Sequence, residues 1–447
     1  MTERARQVVV GVYGAFLGLT LVKFGNPVVL DHLIQEPRNG WELVFSAWPS
    51  RWVFDAFSGS RLFVGLLFLA FAAWVFRPTF AQTLRHLRVD QPARLALACL
   101  AGWYGWQWFA SMDTVSRPLT TATLWQFTSC SICFVFGLFC LSKARSLDSL
   151  WWGLLAGFAV VLWSGLDQRF GGLEATRKMI YEQGGIENYA DEFLRRISTG
   201  RVFGTLFYPN AFAGVILLIC PITLVFVHRI TARRGNVFLG LAVGLLAYLS
   251  LAGLYWSGSK SGWLIAAAMV LVIVLRLPLP IRSKWWLLAI VGVMALGAFG
   301  VRFAGYFQKG ATSVVARFDY WKAATQVAIE NPLTGTGPGT FQVPYAMLKA
   351  PEAEMARLVH NDYLQQASDS GVPGFLLYGG LLLGSVGLLY RKSTTNTLRF
   401  SVWLGLAAWA LHSFVEFGLY IPALAWPAFT LLGWLQGIDV DTDRARN

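Results

Sequence analysis

Twelve apolar blocks run along this chain, near residues 8–24, 61–77, 95–112, 120–141, 150–166, 202–227, 236–254, 262–277, 285–301, 372–390, 400–418 and 421–437. Each is of the length that carries a helix across the ~30 Å hydrocarbon layer of a bilayer. Polar connectors separate them. The pattern predicts an all-α polytopic membrane protein with about 12 transmembrane helices. Arg4 and Arg6 precede the first block, as in a secretory signal, but no A-x-A-like cleavage site follows it. That block is therefore expected to stay as a first span.

The connectors sort by charge. "RPTFAQTLRHLRVDQPAR", "SKARSLDS", "HRITARRG", "RLPLPIRSK" and "RKSTTNTLR" all fall on one side when the N-terminus is cytoplasmic, and all are basic. The positive-inside rule then places both termini in the cytoplasm. Three longer segments, 25–60, 167–201 and 302–371, fall on the opposite face. The last is too long for a simple connector, so function is expected there. Within it, "RFDYWKAATQVAIE" (317–330) reads as an amphipathic helix with Phe318, Trp321, Thr325 and Ala328 on one stripe. Asn331-Pro332 stops it, "LTGTGPGTF" forms a glycine-rich turn, and a second helix is expected from near Arg357 to the Gly371-Val372-Pro373-Gly374 break. No internal repeat and no soluble domain stand out. Residues 1–447 thus read as one membrane domain, with 302–371 as a periplasmic helical cap over the site.

Composition supports the membrane reading. The chain is 55% hydrophobic and 14% charged, against roughly 25% charged in a soluble domain. The net charge of +13 sits mostly in the connectors, where topology and anionic lipid account for it, so no nucleic acid is expected. All five cysteines fall inside predicted spans, and "CSIC" has C-x-x-C spacing without a second ligand pair. They read as small packing residues, with no metal and no cofactor implied. The aromatic-rich 25–60 segment places Trp41, Trp48 and Trp52 in the headgroup zone. The terminal "DVDTD" reads as a solvated tail.

Candidate chemistry gathers on the outer face. His360 and Asn361 stand at the head of "LVHNDYLQQASDSGVPGF", and Leu364, Ala367 and Gly371 follow at steps of four, three and four, so they are expected to share one small, apolar helical face with His360 at its upper end. A neutral imidazole there could act as a base, and Asn361 could cap the helix or hold the preceding loop. The rival reading is a loop histidine that meets lipid headgroups. Arg201 precedes a span that opens with Gly204, Pro209 and Asn210; Lys260 sits in the turn "YWSGSKSGW"; Arg317 opens the cap helix. Cations at that level could bind a phosphate or diphosphate, arginine in bidentate fashion, or could be snorkelling anchors. "LHSFVEFGLY" puts His412 and Glu416 four apart, on one face of a late span; ionisable groups there point to function or to a structural pair. "GTGPG" resembles a nucleotide-binding loop, but no strand precedes it and Pro338 removes an N–H.

The motifs "RVFGTLFYPNAFAG", "SGSKSGWL", "RFDYWKAATQVAIENPLTGTGPGTF" and "HNDYLQQASDSGVPG", in that order, resemble the O-antigen ligase and polymerase superfamily of bacterial membrane glycosyltransferases. The resemblance spans about Arg201 to Glu416. It implies a metal-independent, inverting GT-C-type enzyme of the inner membrane. Such an enzyme moves a glycan, on the periplasmic face, from an undecaprenyl-diphosphate carrier to an acceptor hydroxyl of lipid A-core, another glycan or a protein. By this resemblance His360 is the general base, Arg201 and Arg317 hold the diphosphate, and Glu416 is the late acidic position. Where the family's "SRG"-like turn carries arginine, this chain has Lys260 in "SKSG", which keeps the charge without the planar fork. A polymerase or a protein O-oligosaccharyltransferase of the same superfamily would share these features. A transporter would instead be expected to show an inverted repeat.

Overall fold

The computed structural model describes residues 3–25, 39, 59–182, 194, 197–234, 237–308, 312–351 and 353–437. Trp41, Trp48, Trp52 and the "DVDTD" tail lie outside them. Among the described residues the chain is helical and contains no strand. Its helices are α1 (Glu3–Lys23), α2 (Gly59–Val89), α3 (Gln91–Ala110), α4 (Arg117–Phe139), α5 (Asp148–Asp167), α6 (Leu173–Glu182), α7 (Pro209–Arg234), α8 (Val237–Ser257), α9 (Lys260–Arg276), α10 (Ile281–Gln308), α11 (Thr312–Glu330), α12 (Gln342–Leu348), α13 (Asp362–Gly379), α14 (Ser385–Ser393), α15 (Thr397–His412) and α16 (Pro422–Gly437).

Each of the twelve apolar blocks overlaps a helix. Eight helical stretches among the described residues are long and apolar enough to cross a bilayer, and the protein is a multi-pass membrane protein. The blocks at 95–112, 262–277, 400–418 and 421–437 correspond to α3, α9, α15 and α16, of 20, 17, 16 and 16 residues. Around the girth, apolar side chains such as Trp285, Trp286, Val293 and Leu296 on α10 are exposed. Lipid tails suit that surface as water does not.

The centre is one large apolar cluster drawn from most of the bundle. In lipid, helices gain little from burying oily surface and associate through close backbone approach. The chain shows how. Gly14 and Gly18 of α1 lie directly against Gly153 and Gly157 of α5, so a Cβ at any of the four would strike the opposite backbone. Gly433 of α16 and Gly137 of α4 make the same kind of contact.

Several boundaries differ from the sequence reading. "RPTFAQTLRHLRV" is a continuation of α2 rather than a connector, and only Asp90 separates it from α3. Asp90 caps α3 by accepting from Ala93 N at 2.9 Å. Segment 167–201 contains α6. In the cap, α11 begins five residues before Arg317, so that arginine lies inside the helix rather than at its start. Its buried face is Tyr320, Ala323, Ala324 and Val327, not the Phe318–Trp321–Thr325–Ala328 stripe, because Phe341, Tyr345 and Val359 form a small separate core on that side. Phe318 faces outward, 59% exposed.

The glycine-rich turn serves structure. Thr336 N and Gly337 N donate to Ser368 O and Asp369 O at 3.1 and 2.9 Å, and Gly339 N donates to Asp369 Oδ2 at 2.8 Å. Those amides are already spent on α13 and cannot cradle a phosphate. The contact is tight at Gly371 (φ +70°), where a Cβ would collide with Leu333 O. That glycine kinks α13 without ending it.

Candidate functional site at one end of the bundle

Three helices begin close together at this end. Pro209 opens α7, its fixed φ suiting the first helical position. Ser259 caps α9 by accepting from Gly262 N at 3.2 Å. Asn361 caps α13 by accepting from Tyr363 N and Leu364 N, both at 3.0 Å. A helix N-terminus carries partial positive charge, so three together favour an anion.

His360 therefore lies just outside α13 rather than on its apolar face. It adopts a left-handed backbone (φ +55°), a region that histidine enters more readily than most residues. Its ring sits among Phe417 (edge-on, centroids 4.7 Å apart), Tyr320 (stacked, 5.8 Å) and Tyr208 (6.1 Å). Nδ1 faces Glu416 Oε2 at 3.4 Å and Tyr208 Oη at 3.5 Å. This is longer than a closed hydrogen bond, the kind of contact that tightens when substrate is bound. The His360 side chain is 20% exposed and that of Glu416 only 5%.

Glu416 is the hub. Its Oε1 pairs with Arg317 Nη2 and accepts from Asn210 Nδ2 at 2.5 Å. Asn210 Oδ1 in turn accepts from Arg201 Nη2 at 3.0 Å, and Arg201 Nε donates to Ser257 O at 2.7 Å. Arg201, Asn210, Arg317, Glu416 and His360 thus form one connected set, drawn from four separate chain segments, with His360 and Arg201, 159 residues apart in sequence, joined through Glu416 and Asn210. Burial pushes the Glu416 carboxyl up, but the Arg317 guanidinium, His360 and His412 together outweigh burial and hold it down at about 2. Burial likewise works against Arg317, and the Glu416 carboxylate, Tyr208 and Tyr306 together more than offset it. Arg201 is pulled below its ordinary value, chiefly by burial.

Lys260, the first residue of α9, stands apart from that set but close to it. Its Nζ lies over the Tyr306 ring, 3.5 Å from the centroid. Burial, and then the charges of Arg201, Arg317 and Arg302, lower it to about 8. Arg302 is a fourth cation at this end that the sequence reading passed over; it stacks over Tyr255 at 4.8 Å.

His412 is not brought into the network. Helix α15 ends there, and Ser413–Glu416 turns away, so His412 and Glu416 do not share a helical face as their spacing had predicted. Both ring nitrogens of His412 are buried without a hydrogen-bond partner among the described residues. Also missed were Tyr208, Tyr320 and Phe417 around the imidazole. In a chain with 33 Phe, 20 Trp and 14 Tyr, three aromatic positions carry no signal of their own. Among the described residues no three His, Cys, Asp or Glu side chains converge as metal ligands would.

No curated protein matches the chain. Residues 245–379, which include Lys260, Arg302, Arg317 and His360, match the family model described as O-Antigen ligase, and the match supports a place in the O-antigen ligase superfamily with the ligase- or polymerase-like function of its glycosyltransferase-like members.

Proposed function

We propose that the protein transfers a glycan from an undecaprenyl-diphosphate carrier to an acceptor hydroxyl at the periplasmic face of the inner membrane, with inversion and without a metal. The observation that supports it best is the single carboxylate of Glu416, shared between a histidine and an arginine of a cationic cluster. As that contact closes, ionised Glu416 accepts from His360 Nδ1–H and so leaves Nε2 with its lone pair free. This is how a buried carboxylate sets a histidine's tautomer in other acid–base sites.

His360 Nε2 takes the acceptor's proton as its oxygen bonds to the anomeric carbon. The bond from that carbon to the diphosphate oxygen breaks on the opposite face, which inverts the centre. The departing diphosphate carries its negative charge towards Arg317, Arg201 and Lys260, with three helix N-termini behind them. Pre-placed charge of this kind lowers the barrier without reorganisation during the reaction. The acceptor is a lipid A-core sugar, another glycan or a protein hydroxyl; a ligase and a polymerase would use the same set.

The test is transfer by purified protein in proteoliposomes containing a lipid-diphosphate-linked glycan and an acceptor. His360→Ala should still insert and fold, at a cost of about 1–2 kcal/mol from its left-handed backbone, while its turnover falls by roughly 10²–10⁴, the usual worth of a general base. Undiminished turnover in that variant would remove His360 from the chemistry. Carrier crossing the bilayer with no glycosidic product formed would replace the enzyme reading with transport.

A further inference from the structure

We infer that Asp362 is a positioning residue, one that sets Glu416 in register with His360; the inference rests on the function proposed above. Asp362 is fully buried. Its backbone N donates to Ser413 O at 2.8 Å, and its Oδ2 accepts from Leu419 N at 3.0 Å. Ser413 and Leu419 stand three residues before and three after Glu416. One residue thus grips both ends of the non-helical crossing that carries the carboxylate.

The crossing has little regular structure to hold it otherwise. It joins the end of α15 to a single 3₁₀ turn at Gly418–Tyr420. Tyr363 helps at its outer edge: its Oη donates to Ala410 O at 3.0 Å, and its ring packs on Phe414 at 4.3 Å. Neither contact reaches past Phe414. On the far side, where Phe417 presents its edge to the imidazole, the Asp362 side chain holds Leu419 N while Gln126 Nε2 donates to Leu419 O at 2.9 Å. Asp362 is also only two residues from His360, so the same stretch of backbone positions both partners of the pair. The Nδ1–Oε2 separation of 3.4 Å must still close for the pair to act, so the placement of Glu416 decides whether it can. A shift of about 1 Å at such a contact can cost on the order of 100-fold in rate.

The carboxylate matters here as an acceptor for one amide N–H. Asp362→Asn keeps a carbonyl oxygen of the same reach and should retain turnover within about threefold, a rescue by shape rather than charge. Asp362→Leu fills the space without an acceptor and should lower kcat by roughly 30–100-fold while the KM for the lipid-diphosphate donor stays within about twofold. In a Glu416→Gln background the same Leu substitution should cost less than about threefold more, because the group it aligns has already been neutralised.

All variants are assayed in the same proteoliposomes, at a temperature where each is folded by thermal-shift measurement. Full kcat in Asp362→Leu would overturn the inference, as would equal losses in Asn and Leu or a full multiplicative loss in the Glu416→Gln background. Where Leu prevents folding, Asp362→Ser is the substitute. It is one atom too short to reach Leu419 N, so it must lower kcat at constant KM, and an unchanged kcat overturns the inference. His360→Ala run in parallel separates the two levels. If it is inactive while Asp362→Leu is active, only the Asp362 inference fails; if it is active, both fail.

Discussion

Two acidic residues meet cations at opposite ends of the same bundle, and they are used differently. Asp90 sits between α2 and α3. It accepts from Ala93 N through Oδ1 and pairs with Lys392 through Oδ2, with His86 Nε2 at 3.8 Å. Helices α13 and α14 lie in the 32-residue stretch Asp362–Ser393, about 48 Å if fully helical, which separates this pair from Glu416. At Asp90 both oxygens are committed to holding helices together. At Glu416 one oxygen is committed, to Arg317 and Asn210, and the other faces a histidine without a closed bond. An ion pair with every valence closed is architecture. One with a valence left open, beside a titratable ring, is available for chemistry.

The comparison can be broken by removing the cation at each end. Arg317→Ala leaves Glu416 buried without its main partner. It should cost about 3–5 kcal/mol of stability and abolish measurable transfer. Lys392→Met should cost on the order of 1 kcal/mol, since Asp90 keeps its capping role and is nearer water, and should leave turnover within about threefold. Thermal unfolding in detergent together with transfer in proteoliposomes checks both. Equal catalytic losses at the two ends would refute the distinction.

A smaller effect is expected at Arg201, which touches Glu416 only through Asn210. Arg201→Ala should lose roughly 10–100-fold in kcat/KM, and Arg201→Lys less, since it keeps the charge but not the fork that spans Ser257 O and Asn210 Oδ1. Parity of both variants with the parent protein in a kcat/KM titration would take Arg201 out of the site.

The smallest effects are those of pH. The lowered Glu416 carboxyl contributes stability that is complete above its ordinary value near 4.5 and is lost as pH falls towards about 2. Acid unfolding of the Glu416→Gln variant should therefore be flatter over that window. Lys260 runs the other way. Buried, it loses its charge above about 8 rather than 10.5, so donor KM should rise severalfold between pH 8 and 9.5. Lys260→Arg should remove that rise, and a KM profile that stays flat in the parent protein would count against Lys260 as a phosphate contact.

Much of this was legible in the sequence because it depends on local pattern. Blocks of apolar residues specify helices, and all twelve overlap one. His360, Arg201, Arg317, Asn210 and Glu416 stood out because polar groups are rare in so apolar a chain. Their connection was not legible, since Asn210 meets Glu416 across 206 residues. Periodicity failed where helices stop. His412 and Glu416 have helical spacing, yet the turn held by Asp362 lies between them. His360 has the spacing of α13 but precedes its cap. The stripe on α11 failed for a different reason: a second small core, invisible from within that helix, chose the adjacent face of Tyr320, Ala323, Ala324 and Val327.

The left-handed backbone at His360 bears on which replacements can be read cleanly. Most L-residues give up about 1–2 kcal/mol on entering that region, whereas asparagine, aspartate and glycine enter it readily. Alanine at 360 therefore removes an imidazole and also loads the joint between the cap and α13. Asparagine removes the ring with far less disturbance of the joint. Position 360 is thus a hinge pin as well as the proposed base, and the alphabet it tolerates is narrowed by the main chain before any substrate arrives.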